Sequence, residues 1–306
     1  DRVFHVMSGK KLRLEGVAVR NGHLTGGADG PGILNAGMLD VVGVTIDSND
    51  STLSGAQGGG IYNQGTLTIS DSLITNNTVY SGGGGVFNAI GFTATITNST
   101  FDNNQADPGS GGAIDNDNNA VLSITASGNG GAIQNFGGTV TIASSLIDNN
   151  SVSSGTSGGG LANRSDGVMT VTATTITRNS GQGAGAIYNV DTAQFTMTGS
   201  TVANNVTNGT VVVNANSAVM TVSNSTFSGN SSSANATYGM IHNANTASLL
   251  LVHNTIAGST VGAATAVGGV FVSGGTVTLR NNVLASTVSN RADVSGSFIS
   301  EGGNFI

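Results

Sequence analysis

"GGGIYNQGTLTISDSLITNN", residues 58–77, is the stretch on which the fold turns. Three glycines lead into Ile61, Tyr62 and Asn63, Thr66 to Ile69 alternates polar and apolar, and the stretch closes on Ile74 and Asn77. The phrase returns as "GGGGVFNAIGFTATITNSTFDNN" at residues 82–104 and keeps returning. Aligned on its first asparagine, it recurs at Asn35, Asn63, Asn88, Asn116, Asn135, Asn163, Asn189, Asn214 and Asn243, with Ser273 in the tenth place. The intervals are 28, 25, 28, 19, 28, 26, 25, 29 and 30 residues. Periods of about 20 to 50 residues mark solenoids and propellers.

Inside each repeat a second block places apolar residues at alternate positions, as at Leu67 and Ile69, Ala94 and Ile96, Leu122 and Ile124, and Val140 and Ile142. A period of two predicts a strand with one buried face. A third block sets an apolar residue three places before a second asparagine, giving Asn77, Asn104, Asn150, Asn179, Asn205 and Asn230. A propeller blade needs about 40 residues and antiparallel meanders, so 25 to 30 residues with three distinct blocks favour a parallel β-helix. The expected fold is all-β: a parallel β-solenoid of about ten coils with three short strands each, forming one domain over residues 1–306. Residues 1–24 read as an incomplete first coil, with Leu12, Leu14, Val17 and Val19 in the second and third blocks. The coil near 117–135 reads as shortened, its third block missing.

The composition narrows the function classes. Only 8% of the 306 residues are charged and the formal net charge is −7, against roughly 25% charged in an average soluble domain. Val, Ile and Thr are abundant, which argues against disorder. Lys and Arg form no cluster, which disfavours nucleic acid as a partner, and the longest strongly apolar run, Leu249 to Val252, is far too short to span a bilayer. Cysteine is absent, so no disulfide framework arises. The Gly, Asn, Ser and Thr richness reads as an extracellular or cell-surface protein.

The repeated columns have assignable roles. The two asparagine columns are placed at turns, where Asn accepts the left-handed region, with identical amides stacked from coil to coil. An outward rank of Thr68, Thr95, Ser123, Thr141, Thr170, Thr196, Thr221, Leu250 and Thr278 is either a solvated sheet face or an ice-binding face. Leu34, Tyr62 and Phe87 occupy consecutive outward places and would form an apolar strip able to grip a sugar or a protein, or be covered by a loop.

No catalytic group is singled out. The glutamates are Glu15 and Glu301, and the lysines are Lys10 and Lys11. Asp47, Asp102 and Asp148 share one place and Asp115 and Asp117 share "IDNDNN"; all are read as turn aspartates without a partner base, although such a pair could hold Ca²⁺. His5, His23, His242 and His253 have no metal spacing. No metal and no cofactor is expected.

"GGGIYNQGTLTISDSLITNN", "GGAIDN", "GGAIQN" and "STFDNN" resemble the GG-x-I and F-x-x-N repeats of polymorphic outer-membrane-type adhesins and, more closely, CSLREA-type secreted bacterial repeat proteins. The resemblance implies a right-handed parallel β-helix exposed on, or released from, the cell surface. The function expected is a non-enzymatic structural solenoid that associates with its own copies through end residues Phe4, Val6, Phe298 and Ile299, in filaments or as an adhesin element. The alternatives are a carbohydrate-binding or polysaccharide-degrading β-helix enzyme, with polysaccharide as partner, and an ice-binding solenoid.

Overall fold

The chain is described by a computed structural model, apart from residues 52, 107, 108, 110, 126, 127, 131, 132, 153–157, 233–238, 263–266 and 286–291, and the side chains of 125, 128–130 and 152. Its contacts group into two units, Asp1–Leu146 and Ile147–Ile306. Each is a parallel β-solenoid.

In the first unit the chain visits three sheets in rotation. The first sheet stacks Phe4–Val6, Ile33–Asn35, Ile61–Asn63, Val86–Asn88, Ile114–Asn116 and Ile133–Phe136 in parallel. The second stacks Lys11–Glu15, Met38–Val42, Thr66–Ser70, Thr93–Thr97, Val121–Thr125 and Thr139–Ala143. The third stacks Ala18–Arg20, Thr45–Asp47, Leu73–Thr75, Thr100–Asp102 and Gly128–Gly130. The second unit repeats the scheme, its first sheet running from Leu161–Arg164 through Ala184–Asn189, Thr210–Asn214 and Ile241–Asn243 to Val270–Val272 and Val294–Ser295.

The period-two pattern sets the register. Leu67 and Ile69 are fully buried while Thr66 and Thr68 face solvent, and Ile69 lies between Val41 and Ile96, which leads on to Ile124 and Ile142. A slip of one residue would turn this column outward. The Thr rank is therefore outward as expected, but Asp40, ion-paired to Arg13, stands in the same rank one coil before Thr68.

Several expectations need correction. The first coil is complete, since its three strands each pair with the next coil; only Val17 leaves the pattern, 46% exposed at the turn. The coil near 117–135 keeps a third strand, Gly128–Gly130 beside Thr100–Asp102, which its glycines hid from any apolar pattern. Many coils also carry a fourth, two-residue strand: Asp50–Ser51, Thr78–Val79 and Gln105–Ala106 in the first unit, and Ser151–Val152 through Thr260–Val261 in the second.

The asparagine columns lie inside the core, not at left-handed turns. Asn35 Nδ2 donates to Asn63 Oδ1 (2.7 Å), Asn63 to Asn88 (2.7 Å), Asn88 to Asn116 (2.8 Å) and Asn116 to Asn135 (2.9 Å). In the second unit the same ladder joins Asn163, Asn189, Asn214 and Asn243, and its next place is Val272, not Ser273. The other column joins Asn49, Asn77 and Asn104, and then Asn150, Asn179, Asn205 and Asn230. Left-handed backbone belongs to the residue just before: Asn76, Asn103, Asn149 and Asn204 have φ of 53°, 51°, 57° and 56°. Interior members such as Asn63, Asn88, Asn179 and Asn205 each accept from one neighbour and donate to the next, which is how buried polar groups are satisfied. A further inward ladder was not foreseen: Ser72, Ser99, Ser200 and Ser225 hydroxyls each accept the N–H of the preceding coil.

Candidate functional site

The middle residue of each first-sheet strand points away from the core. In the first unit these residues form one column, Leu34, Tyr62, Phe87, Asp115 and Gln134. Tyr62 and Phe87 stack with ring centroids 5.4 Å apart. They are not an exposed strip. Tyr62, Phe87 and Ala89 form a buried cluster with Leu34 half-buried against it.

Asp115 continues the stack and is not a turn residue; it sits in mid-strand, 7% exposed. Burial pushes its carboxyl up to about 8, the negative charge of Asp117 adds to the rise, and the Gln134 amide opposes it. At neutral pH this carboxyl holds its proton while lying close to an ionisable neighbour, the arrangement by which two carboxyls acquire separate acid and base roles. Gln134 Nε2 is 3.5 Å from Asp115 Oδ1, and the buried Gln134 Oε1 has no hydrogen-bond partner among the described residues. Room for the carboxyl comes from Gly82: a Cβ there would lie 2.5 Å from Asp115 Oδ2.

Asp117 is half-buried in the turn that follows the same strand. Its charge also reaches Tyr62, whose hydroxyl is raised by burial first and by Asp29 and Asp117 after that; the Gln64 amide, which donates to it (3.3 Å), acts in the opposite sense. Gln64 in turn lines a groove of about 670 Å³ along the turns that join the first and second sheets. Gln64 thus links the ring stack to the groove, whose lining includes neither Asp115 nor Asp117.

The other singled-out residues are dispersed. Asp47, Asp102 and Asp148 end third-sheet strands instead of lying at turns. Asp47 is lowered chiefly by the Asn76 amide, and Asp148 pairs with Arg178. No cluster of potential metal ligands occurs among the described residues. His242 packs tilted against Phe271 (ring centroids 5.3 Å apart, 40° between planes), with Nε2 2.7 Å from Ser273 Oγ, and burial lowers its pKa. Of the expected self-association residues, Val6 is buried and Phe4 half-buried, while Phe298 and Ile299 are exposed at 38% and 52%.

The sequence reading missed Gln64 and the groove, and it read Asp115 as a turn aspartate where the strand Ile114–Asn116 holds it. The signal was present in the outward column, where an aspartate follows two aromatics in register.

No known family's sequence pattern matches the chain, and no curated protein does, so the resemblance to secreted and adhesin repeats reaches no further than the parallel β-solenoid. Among solved structures, the chain is similar to the catalytic unit of a thermostable GH87 alpha-1,3-glucanase from Streptomyces thermodiastaticus strain HF3-3. The two share 15% identity with a TM-score of 0.38, over 97% of this chain and 63% of that one. The expectation of a non-enzymatic structural solenoid is corrected here. The correction rests on the chain's own residues: Asp115 is a mid-strand carboxyl, 7% exposed, raised by burial and by the charge of Asp117. At this level of likeness the match contributes nothing to the chemistry, which rests on the chain's own residues. No helix among the described residues is long and apolar enough to cross a membrane.

Proposed function

We propose that the protein is an extracellular carbohydrate-active β-solenoid that cleaves polysaccharide on the first unit, with Asp115 as the proton donor and Asp117 as the partner carboxylate. The observation that carries this reading is Asp115 itself: a mid-strand carboxyl, 7% exposed and raised to about 8 by burial, with the charge of Asp117 acting on it; a groove open to an extended ligand runs along the turns of the neighbouring coils. Glycoside cleavage needs one carboxyl protonated to assist the leaving oxygen and one ionised to activate water or to stabilise the developing cation. Burial supplies the first state, and Asp117, in the turn that follows the same strand, is the carboxyl assigned the second role.

The test is release of reducing ends from a panel of neutral and acidic polysaccharides. Wild type is expected to cleave at least one of them, and Asp115→Asn and Asp117→Asn are each expected to lower the rate by about 10² to 10⁴ with far-UV circular dichroism unchanged. Cleavage that survives both substitutions, or no cleavage across the panel, overturns the reading.

A further inference from the structure

The groove has a cause that can be read from turn lengths. In coils 2 and 3 of the first unit, two residues join the first sheet to the second: Ala36 and Gly37, then Gln64 and Gly65. Coil 1 uses four residues, Met7 to Lys10, and coil 4 also uses four, Ala89 to Phe92. Both longer turns close in the same way, Lys10 N donating to Met7 O (3.0 Å) and Phe92 N to Ala89 O (3.1 Å). Two low turns between two high ones make a trough. Its walls stand three strand spacings apart, about 14 Å at about 4.8 Å each.

The floor cannot be raised by ordinary side chains. A Cβ on Gly65 would lie 2.0 Å from Gly37 O, and one on Gly37 would lie 2.3 Å from Lys10 O. The lining is uncharged throughout: Phe92 and Met38 are apolar and exposed at 37% and 48%, and Ser8, Gln64, Thr66 and Thr93 add hydroxyls and an amide. Lys10 stands on the outer wall, and carboxyls lie on the opposite side, where Asn118 O, next to Asp117, accepts the N–H of Gly91.

We infer that this trough is a binding subsite for a short stretch of neutral glycan. A sugar presents an apolar C–H face and a rim of hydroxyls, which match an aromatic edge and uncharged donors and acceptors. A uronate chain would place carboxylates over a floor with no cation, Lys10 standing only at the outer wall, and toward Asp117 beyond the opposite wall, which like-charge repulsion disfavours. The inference rests on the carbohydrate reading above and adds the substrate class and the place where it is held.

The experiment titrates the full chain with neutral gluco-oligosaccharides of two to six units and, separately, with oligogalacturonate, following binding by NMR line broadening and calorimetry. Neutral oligosaccharides are expected to bind, and Phe92→Ala and Met38→Glu are each expected to weaken binding at least fivefold with the melting transition retained. Binding of oligogalacturonate alone, or neutral-glycan binding untouched by both groove variants, overturns the subsite. If hydrolysis depends on Asp115 while the groove variants change nothing, the subsite falls and the enzymatic reading stands. If neutral glycan binds through Phe92 and is never cleaved, the subsite stands and the enzymatic reading falls.

Discussion

Tyr62 and Phe87 lie one coil apart with their rings 3° from parallel and their centroids 5.4 Å apart. The solenoid sets each residue over its counterpart about 4.8 Å away, and Tyr62 and Phe87 use that spacing to stack, whereas His242 and Phe271, paired the same way in the second unit, are tilted by 40°. The stacked pair is a cover for the first sheet. Phe87→Ala, at a site 3% exposed, is expected to cost about 3 to 5 kcal/mol, whereas Leu34→Ala at the half-buried end of the column should cost clearly less. Urea unfolding of the two variants provides the comparison; equal, small losses would mean that the cover contributes little.

The inward column makes a sharper contrast. Ile69 is fully buried and Thr68, beside it, is exposed. Ile69→Ala is expected to cost about 2 to 5 kcal/mol and Thr68→Ala to stay within about 0.5 kcal/mol. Thermal melting measures both, and similar values would place the register one residue away.

The ladders carry a prediction that separates two adjacent asparagines. Asn77 Nδ2 donates to Asn104 Oδ1 (2.9 Å), while its own Oδ1 accepts from Asn49. Asn77→Ala leaves buried groups unsatisfied on both sides, at about 1 to 3 kcal/mol each. Asn76, its neighbour, has φ of 53°, so Asn76→Gly is expected to be nearly neutral, while Asn76→Val, β-branched in the left-handed region, is destabilising. If chemical denaturation ranks Asn76→Gly as the more harmful, the inward ladder is misplaced.

These residues also mark how far the sequence could be read. Alternation at Leu67 and Ile69 fixes the strand, its buried face and its period, because a two-residue repeat has one structural meaning. The doublet Asn76–Asn77 does not divide so simply: either amide suits a left-handed turn, and only the placement of the coil assigns the second one to the interior. Gly128–Gly130 carries no side-chain pattern at all and is a strand only because Thr100–Asp102 offers it an edge. The serine ladder was legible in principle from Ser72, Ser99 and Ser225, each preceded by Asp or Asn, but a hydroxyl immediately before a strand suggests a turn when read alone. Asp115 was misjudged for the opposite reason. Aspartate is common at turns, and its burial depends on Phe87, Gln134 and Gly82, which come together across three coils.

Asp115 gives the prediction with the most defined pH dependence. Its carboxyl is raised to about 8 in the folded chain, first by burial and then by the charge of Asp117, whereas an unfolded aspartate titrates near 3.9. The folded state therefore binds the proton more tightly. Stability from this group is fully present below about pH 4, falls as pH rises, and is lost once pH passes about 8. Linkage sets the slope at no more than about 1.4 kcal/mol per pH unit for one proton, so the decline over this window amounts to a few kcal/mol. Asp115→Asn keeps the size and removes the titration. Wild type should lose stability relative to the variant between pH 4 and 8, with a constant difference above about pH 9. The opposite trend belongs to Asp47, whose carboxyl is lowered, and subtraction of the two profiles cancels it. Urea midpoints at pH 4, 6, 8 and 9 for both chains provide the measurement. Parallel profiles across the whole range would show that Asp115 ionises as freely as an exposed aspartate, and the acid role assigned to it would go with that result.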